Sequence, residues 1–168
     1  GMPDEALRAI GLTVGSDVPF CVSGGTSLAE GRGERLTDLP PLPVCQIVLC
    51  KPDFGISTPE LFVLADGAVL SKRPDIAGLT AALQGGELTG VTDRLCNVFE
   101  EFLPERYQEV FRIKESLLAH GALNAAMSGS GPTVYGIFES AAEAQRAAEV
   151  LKKSYQQTYV AKPVKKLV

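Results

Sequence analysis

The spacing of apolar and polar positions changes period several times along the chain. In residues 4 to 10, Ala6, Leu7 and Ile10 recur at helical spacing and stop at Gly11, which predicts the last turns of a helix ending on a glycine cap. So short a pattern reads as a helix cut at its beginning. From Thr26 to Leu39 the pattern predicts two short strands around Gly31-Arg32-Gly33, whose glycines permit the positive backbone angles of a turn. Pro40, Pro41 and Pro43 then interrupt it. Proline neither extends a helix nor donates within a central strand, so a domain junction is expected near residue 43.

Beyond the junction, Val44 to Cys50 reads as an apolar strand. Ser57-Thr58-Pro59-Glu60 opens a helix with a capping hydroxyl, a first-turn proline and an acid that favours the helix dipole, and Leu61, Phe62 and Leu64 continue it. Asp75 to Leu83 predicts a second short helix, followed by a turn at Gly85-Gly86 and an irregular or helical stretch through Asn97 to Leu103. Tyr107, Val110, Phe111, Lys114, Leu117 and Leu118 share a face of a helix ending at His120-Gly121. Leu123 to Met127 and Thr133 to Phe138 read as strands joined by a tight glycine loop, with a helix from Ala141 to about Ser154 and a last strand near Thr158 to Pro163. The order strand, helices, strand, strand, helix, strand is that of a split β-α-β unit. The expected fold is therefore α+β: a two-layer ferredoxin-like sandwich over residues 44–168, preceded by a separate piece over residues 1–43.

Composition narrows the function classes. At 168 residues and 45% hydrophobic, the chain can bury one ordinary core with a smaller appended piece and needs no disulfides. A net charge of -4 argues against a surface built to neutralise nucleic acid. No apolar run approaches the ~18 residues that span a bilayer, and no charged start leads into an apolar stretch, so no membrane partner and a cytoplasmic location are expected. Gly1-Met2 reads as a tag-cleavage glycine before an initiator methionine. Cys21, Cys45, Cys50 and Cys96 contain no C-x-x-C pair; no metal site is expected, and reduced, mostly buried thiols are.

Two segments carry candidate chemistry. Gly15-Ser16-Asp17-Val18-Pro19-Phe20 places a carboxylate after a glycine turn, where it can cap the following segment or accept the proton of a substrate hydroxyl. Ser128-Gly129-Ser130-Gly131-Pro132-Thr133 joins two strands with little side-chain bulk. It is either a plain glycine hairpin turn or a loop whose N–H groups and hydroxyls converge on an anion. It lacks the spacing of a Walker loop or a dinucleotide fingerprint. His120 at a helix end and the tail lysines Lys162, Lys165 and Lys166 read as structural or solvated.

Taken together, GSDVPF at 15–20, GGTSLAEGRGE at 24–34, STPELF at 57–62 and MSGSGPTVYGIF at 127–138 resemble, in order and spacing, the diphosphocytidyl-methylerythritol kinase family of the non-mevalonate isoprenoid pathway. MSGSGPT alone resembles the wider GHMP kinases. The resemblance implies transfer of the ATP γ-phosphate to the 2-hydroxyl of the cytidylated methylerythritol. It implies Asp17 as the catalytic aspartate, and Ser128, Gly129, Ser130 and Gly131 as the glycine motif beside the phosphates. Thr58 and Phe62 would bind substrate, the aromatic ring stacking on cytosine. ATP and Mg2+ are the cofactors of the full-length family enzyme. The family begins with a domain carrying a catalytic lysine and a P-x-x-x-G-L-G-G-G-S-S loop that cradles ATP, and this sequence contains no such loop. Residues 1–43 are accordingly expected to be a remnant of that domain, and the chain to be inactive alone. Expected partners are a cytidine diphosphate small molecule and either a second copy, through an unpaired sheet edge, or a separate amino-terminal half. The competing reading is a non-catalytic ligand-binding or assembly module.

Overall fold

The computed structural model describes residues 2–71 and 73–164. Helix α1 spans Asp4–Val14 and α2 spans Val18–Ser23. Gly11 lies inside α1 instead of capping it. A Cβ at Gly11 would stand 2.8 Å from the Val18 Cγ1, so the glycine lets α2 fold closely back on α1. The helix ends at Gly15, whose N–H donates to the Gly11 carbonyl at 3.1 Å.

Strands β1 (Thr26–Glu30) and β2 (Arg35–Leu39) form the predicted antiparallel hairpin, with Glu30 opposite Arg35. At its tip the Arg32 N–H donates to the Glu34 carboxylate at 2.6 Å. Backbone N–H bonds, those of Glu34 and Arg32, hold this carboxyl below the usual glutamate range. Gly33 has φ +108°, and a Cβ there would meet the Ser16 carbonyl oxygen at 2.5 Å. The hairpin tip therefore rests on the backbone of the corner that carries Asp17.

The main sheet comprises β3 (Gln46–Lys51), β4 (Asn124–Met127), β5 (Val134–Phe138) and β6 (Gln157–Ala161), in the order β4-β5-β3-β6 and antiparallel throughout. Between β3 and β4 come α3 (Thr58–Asp66), α4 (Ile76–Gly85), α5 (Leu88–Thr92), two 3-10 turns (Val98–Phe102 and Glu105–Tyr107) and α6 (Glu109–Ala119). Helix α7 (Ala141–Lys152) connects β5 to β6. This is the expected ferredoxin-like sandwich.

Alternate strand residues Val48, Cys50, Met127, Val134 and Phe138 join Val110, Ile113 and Leu117 of α6 and Ala144, Ala147, Ala148 and Leu151 of α7 in one buried core. Burial of each large side chain there contributes roughly 1.5–3 kcal/mol. The alanines of α7 allow it to lie close on the sheet. Leu61 of α3 is also fully buried in this core. A second, small cluster of Ala82, Leu83 and Val91 packs Leu39 and Leu42, joining the hairpin to α4 and α5.

Several expectations shift in detail. Leu118 is 44% exposed, because it follows the buried Leu117 by one residue and so turns about 100° away from the sheet. Tyr107 sits in a 3-10 turn before α6, stacked on Phe54 with ring centroids 5.4 Å apart. Cys45 and Cys50 are buried, and burial raises both thiol pKa values, whereas Cys21 and Cys96 are exposed. The last strand ends at Ala161, leaving Lys162 exposed beyond it; Gly1, Lys165 and Lys166 lie outside the described residues. Among the described residues no helix is long and apolar enough to cross a membrane.

Candidate functional site

Helix α3 starts as its sequence dictates. Ser57 Oγ accepts from the Glu60 N–H at 3.4 Å, and Pro59 occupies the first turn, where no intrahelical N–H is required. Thr58 and Phe62 are four residues apart and share one helix face. Phe62 is 55% exposed, with one edge held by Phe99 in a T-shaped contact at 5.2 Å. An aromatic ring anchored on one side and open on the other is suited to stacking on a flat ligand.

The 128–132 loop is closed by bonds from Ser128 N–H to the Thr133 carbonyl and from Gly131 N–H to the Ser128 carbonyl, both 2.8 Å. Its two glycines do different work. Gly131, at φ +77°, has the Met127 side chain and Ile56 behind it, and a Cβ would come within 2.4 Å of the Met127 Sδ. Gly129, at φ +54°, faces open space. Among the described residues the Gly129 and Ser130 N–H groups have no internal acceptor, so they are available to an anion.

Thr58 Oγ1 and Ser130 Oγ lie 2.6 Å apart, a hydrogen bond between residues 72 positions apart in sequence. It brings the start of α3, with Phe62 one turn on, together with the glycine loop. Asp17 stands apart from them. It occupies the position before α2, but its side chain makes no capping hydrogen bond and the residue is exposed. Among the described residues, no hydrogen bond or ion pair ties it to Thr58 or the loop. The carboxylate is consequently open to solvent or to a ligand.

Sequence reasoning passed over the segment behind the loop. Asn97 Nδ2 donates to the Met127 carbonyl at 2.7 Å and the Gly129 carbonyl at 2.8 Å, and Glu100 accepts from the Met127 N–H at 2.7 Å. Glu100 also pairs with Lys114 of α6. Burial, and then the Glu100 charge, raise the pKa of the Tyr135 phenol on the neighbouring strand. A shallow groove of about 350 Å³ runs here between Asn97, Phe99, Gly129 and Tyr135. The available signal was an Asn ahead of Val98-Phe99, which marks a cap; nothing local indicates that its partners lie 30 residues away.

His120 closes α6, its Nδ1–H donating to the Ser116 carbonyl at 2.7 Å, and takes no part in this site. Among the described residues no three His, Cys, Asp or Glu side chains gather as a metal site.

Known proteins share this sequence and fold over much of the chain. Residues 79–157 match the family described as GHMP kinases C terminal. The chain is 38% identical over 161 residues to 4-diphosphocytidyl-2-C-methyl-D-erythritol kinase of Clostridium acetobutylicum, covering 96% of this chain and 58% of that enzyme. It is 42% identical over 166 residues to the same kinase of Enterococcus faecalis, covering 98% of this chain and 58% of that enzyme. The chain thus spans somewhat over half the length of these relatives. Among solved structures, a crystal structure of 4-(cytidine 5'-diphospho)-2C-methyl-D-erythritol kinase superposes with a TM-score of 0.78 at 28% identity, over 94% of this chain and 56% of that one. Mevalonate kinase of L. major, in complex with R-mevalonate, shares the fold with a TM-score of 0.68 at 16% identity, over 99% of this chain and 60% of that one.

Proposed function

We propose that the chain carries the carboxyl-terminal domain of a GHMP kinase, corresponds to the carboxyl-terminal part of its diphosphocytidyl-methylerythritol kinase relatives, and forms the substrate side of such a kinase. In full-length form the enzyme would phosphorylate the 2-hydroxyl of 4-diphosphocytidyl-2-C-methyl-D-erythritol. The observation that carries this reading is the Thr58–Ser130 hydrogen bond, which makes one site of an open aromatic ring and a glycine loop with free N–H groups. A cytidine diphosphate needs both, a face to stack on and donors for its phosphates.

In this reading residues 1–43 are the last part of the amino-terminal domain, and residues 44–168 are the carboxyl-terminal domain. Asp17 takes the proton of the substrate hydroxyl as its oxygen bonds to the incoming phosphorus, and the bond from that phosphorus to the nucleotide breaks. ATP, with Mg2+, supplies the phosphoryl group. The Gly129 and Ser130 N–H groups fit a phosphate, but the loop that the family uses to cradle ATP does not occur in this sequence. The chain alone is therefore proposed to bind the cytidine diphosphate portion of substrate without turning it over. A separate amino-terminal half or a second copy of the chain is the proposed partner.

Titration of the isotopically labelled chain with CDP tests this. Amide shifts at Thr58, Phe62 and Ser128 to Gly131 are expected, with no phosphorylated product when ATP, magnesium and the methylerythritol substrate are added. Shifts confined to other surfaces would refute the site, and product formation would refute the proposed inactivity.

A further inference from the structure

The turn from Asn97 to Glu100 touches both walls of the proposed site. Asn97 caps the 3-10 turn Val98–Phe102, and Glu100 lies within that turn. Together they grip the peptide units that lead into the glycine loop. Glu100 accepts from the Met127 N–H at 2.7 Å, and Asn97 Nδ2 donates to the Met127 carbonyl at 2.7 Å. The second Nδ2 hydrogen reaches the Gly129 carbonyl at 2.8 Å. Oδ1 is also committed, accepting from the Phe99 N–H at 3.0 Å. Between them, Phe99 supports the edge of Phe62.

This carboxamide has a single workable orientation. Reversing it would set its oxygen against two carbonyl oxygens and its N–H groups against the Phe99 N–H. Glu100 is fixed in turn by Lys114 from α6, both side chains being largely buried. The loop's positive-φ glycines are thereby tied to the sandwich core from outside the loop itself.

We infer that Asn97 is a positioning residue for the glycine loop. Its carboxamide draws the Met127 and Gly129 carbonyls to one side and so leaves the Gly129 and Ser130 N–H groups free for an anionic ligand, in this site the diphosphate of a nucleotide. The ligand part of this inference rests on the function proposed above; the loop part does not. Asp at this position presents only acceptors to two carbonyls, and Ala leaves both carbonyls without their donor.

The test compares the 168-residue chain with its Asn97→Asp variant, with Asn97→Ser as the alternative if the first does not fold. Hydrogen exchange at Ser128 and Gly131, whose N–H groups close the loop, is expected to rise about tenfold, the worth of one lost hydrogen bond, while exchange on β3 and β5 is unchanged. Calorimetric affinity for CDP should fall about tenfold while affinity for cytidine holds, because only the diphosphate needs the ordered loop. Unchanged loop exchange overturns the inference, as does an equal weakening of CDP and cytidine, which is what a merely structural residue would give. If the unmutated chain bound neither compound, the proposed function would fail, and loop exchange alone would decide the role of Asn97.

Discussion

Residues 2–43 bury only Gly11, Pro19 and Ser23, whereas from Cys45 onward the chain builds one core between the sheet and helices α6 and α7. The amino-terminal piece is held instead by backbone proximity, through Gly11 against Val18 and Gly33 against Ser16, and by the small cluster at Leu39 and Leu42. It exposes Met2, Leu7, Ile10, Val14, Phe20 and Val22. Of these, Leu7, Ile10 and Val14 stand at i, i+3 and i+7 on α1 and so share one face. The sandwich shows what a self-sufficient domain looks like in this chain, and the contrast fits the proposal that residues 1–43 belong to a body completed by further chain. It also divides the proposed site, since Asp17 sits on the weakly cored piece, and Thr58, Phe62 and the glycine loop on the strongly cored one.

Paired truncations break or sharpen this contrast most forcefully. Ile113 is fully buried and Ile10 is 54% exposed. Ile113→Ala should lower unfolding free energy by about 2–5 kcal/mol, and Ile10→Ala should stay within about 0.5 kcal/mol. Urea unfolding measures both, and equal losses would erase the distinction between the two regions.

A smaller effect comes from pH. In the sandwich, burial, followed by the hydrogen bond to Glu109, raises the Tyr155 phenol well above its usual range. A raised pKa means the folded state holds its proton more tightly, so this contribution is complete below the ordinary tyrosine value near 10 and is lost as pH rises beyond it. In the hairpin, Glu34 has a lowered pKa, so its contribution is present above the ordinary value of 4.5 and is lost as pH falls below that. Alkali should therefore weaken the sandwich and acid the hairpin. Urea midpoints across the alkaline range check the first arm, and Tyr155→Phe should flatten the slope.

Much of the sandwich was legible because its signals are local. Ser57 caps α3, Gly86 ends α4 in the left-handed conformation, and the alternation from Val134 to Phe138 marks a strand. Gly11 misled because a glycine that stops a helix and one that admits a neighbour look alike until the neighbour, Val18, is in place. Leu118 misled because four apolar positions nearby, Tyr107, Val110, Phe111 and Leu117, already defined a face. Of the proposed site, Asp17, Thr58, Phe62 and the loop were expected from motifs, but the Thr58–Ser130 bond that joins two of them was not legible, since it spans two separate elements. Asn97 was hidden for the same reason: its role is defined by the carbonyls of Met127 and Gly129.

Native-state hydrogen exchange of the whole chain tests most directly whether it is a complete sandwich bearing an incomplete piece. The account predicts that amides of β3, β5, α6 and α7 exchange only through global unfolding, while those of α1, α2 and the β1–β2 hairpin open at much lower free energy. Equal protection in residues 2–43 and in the sandwich would contradict it.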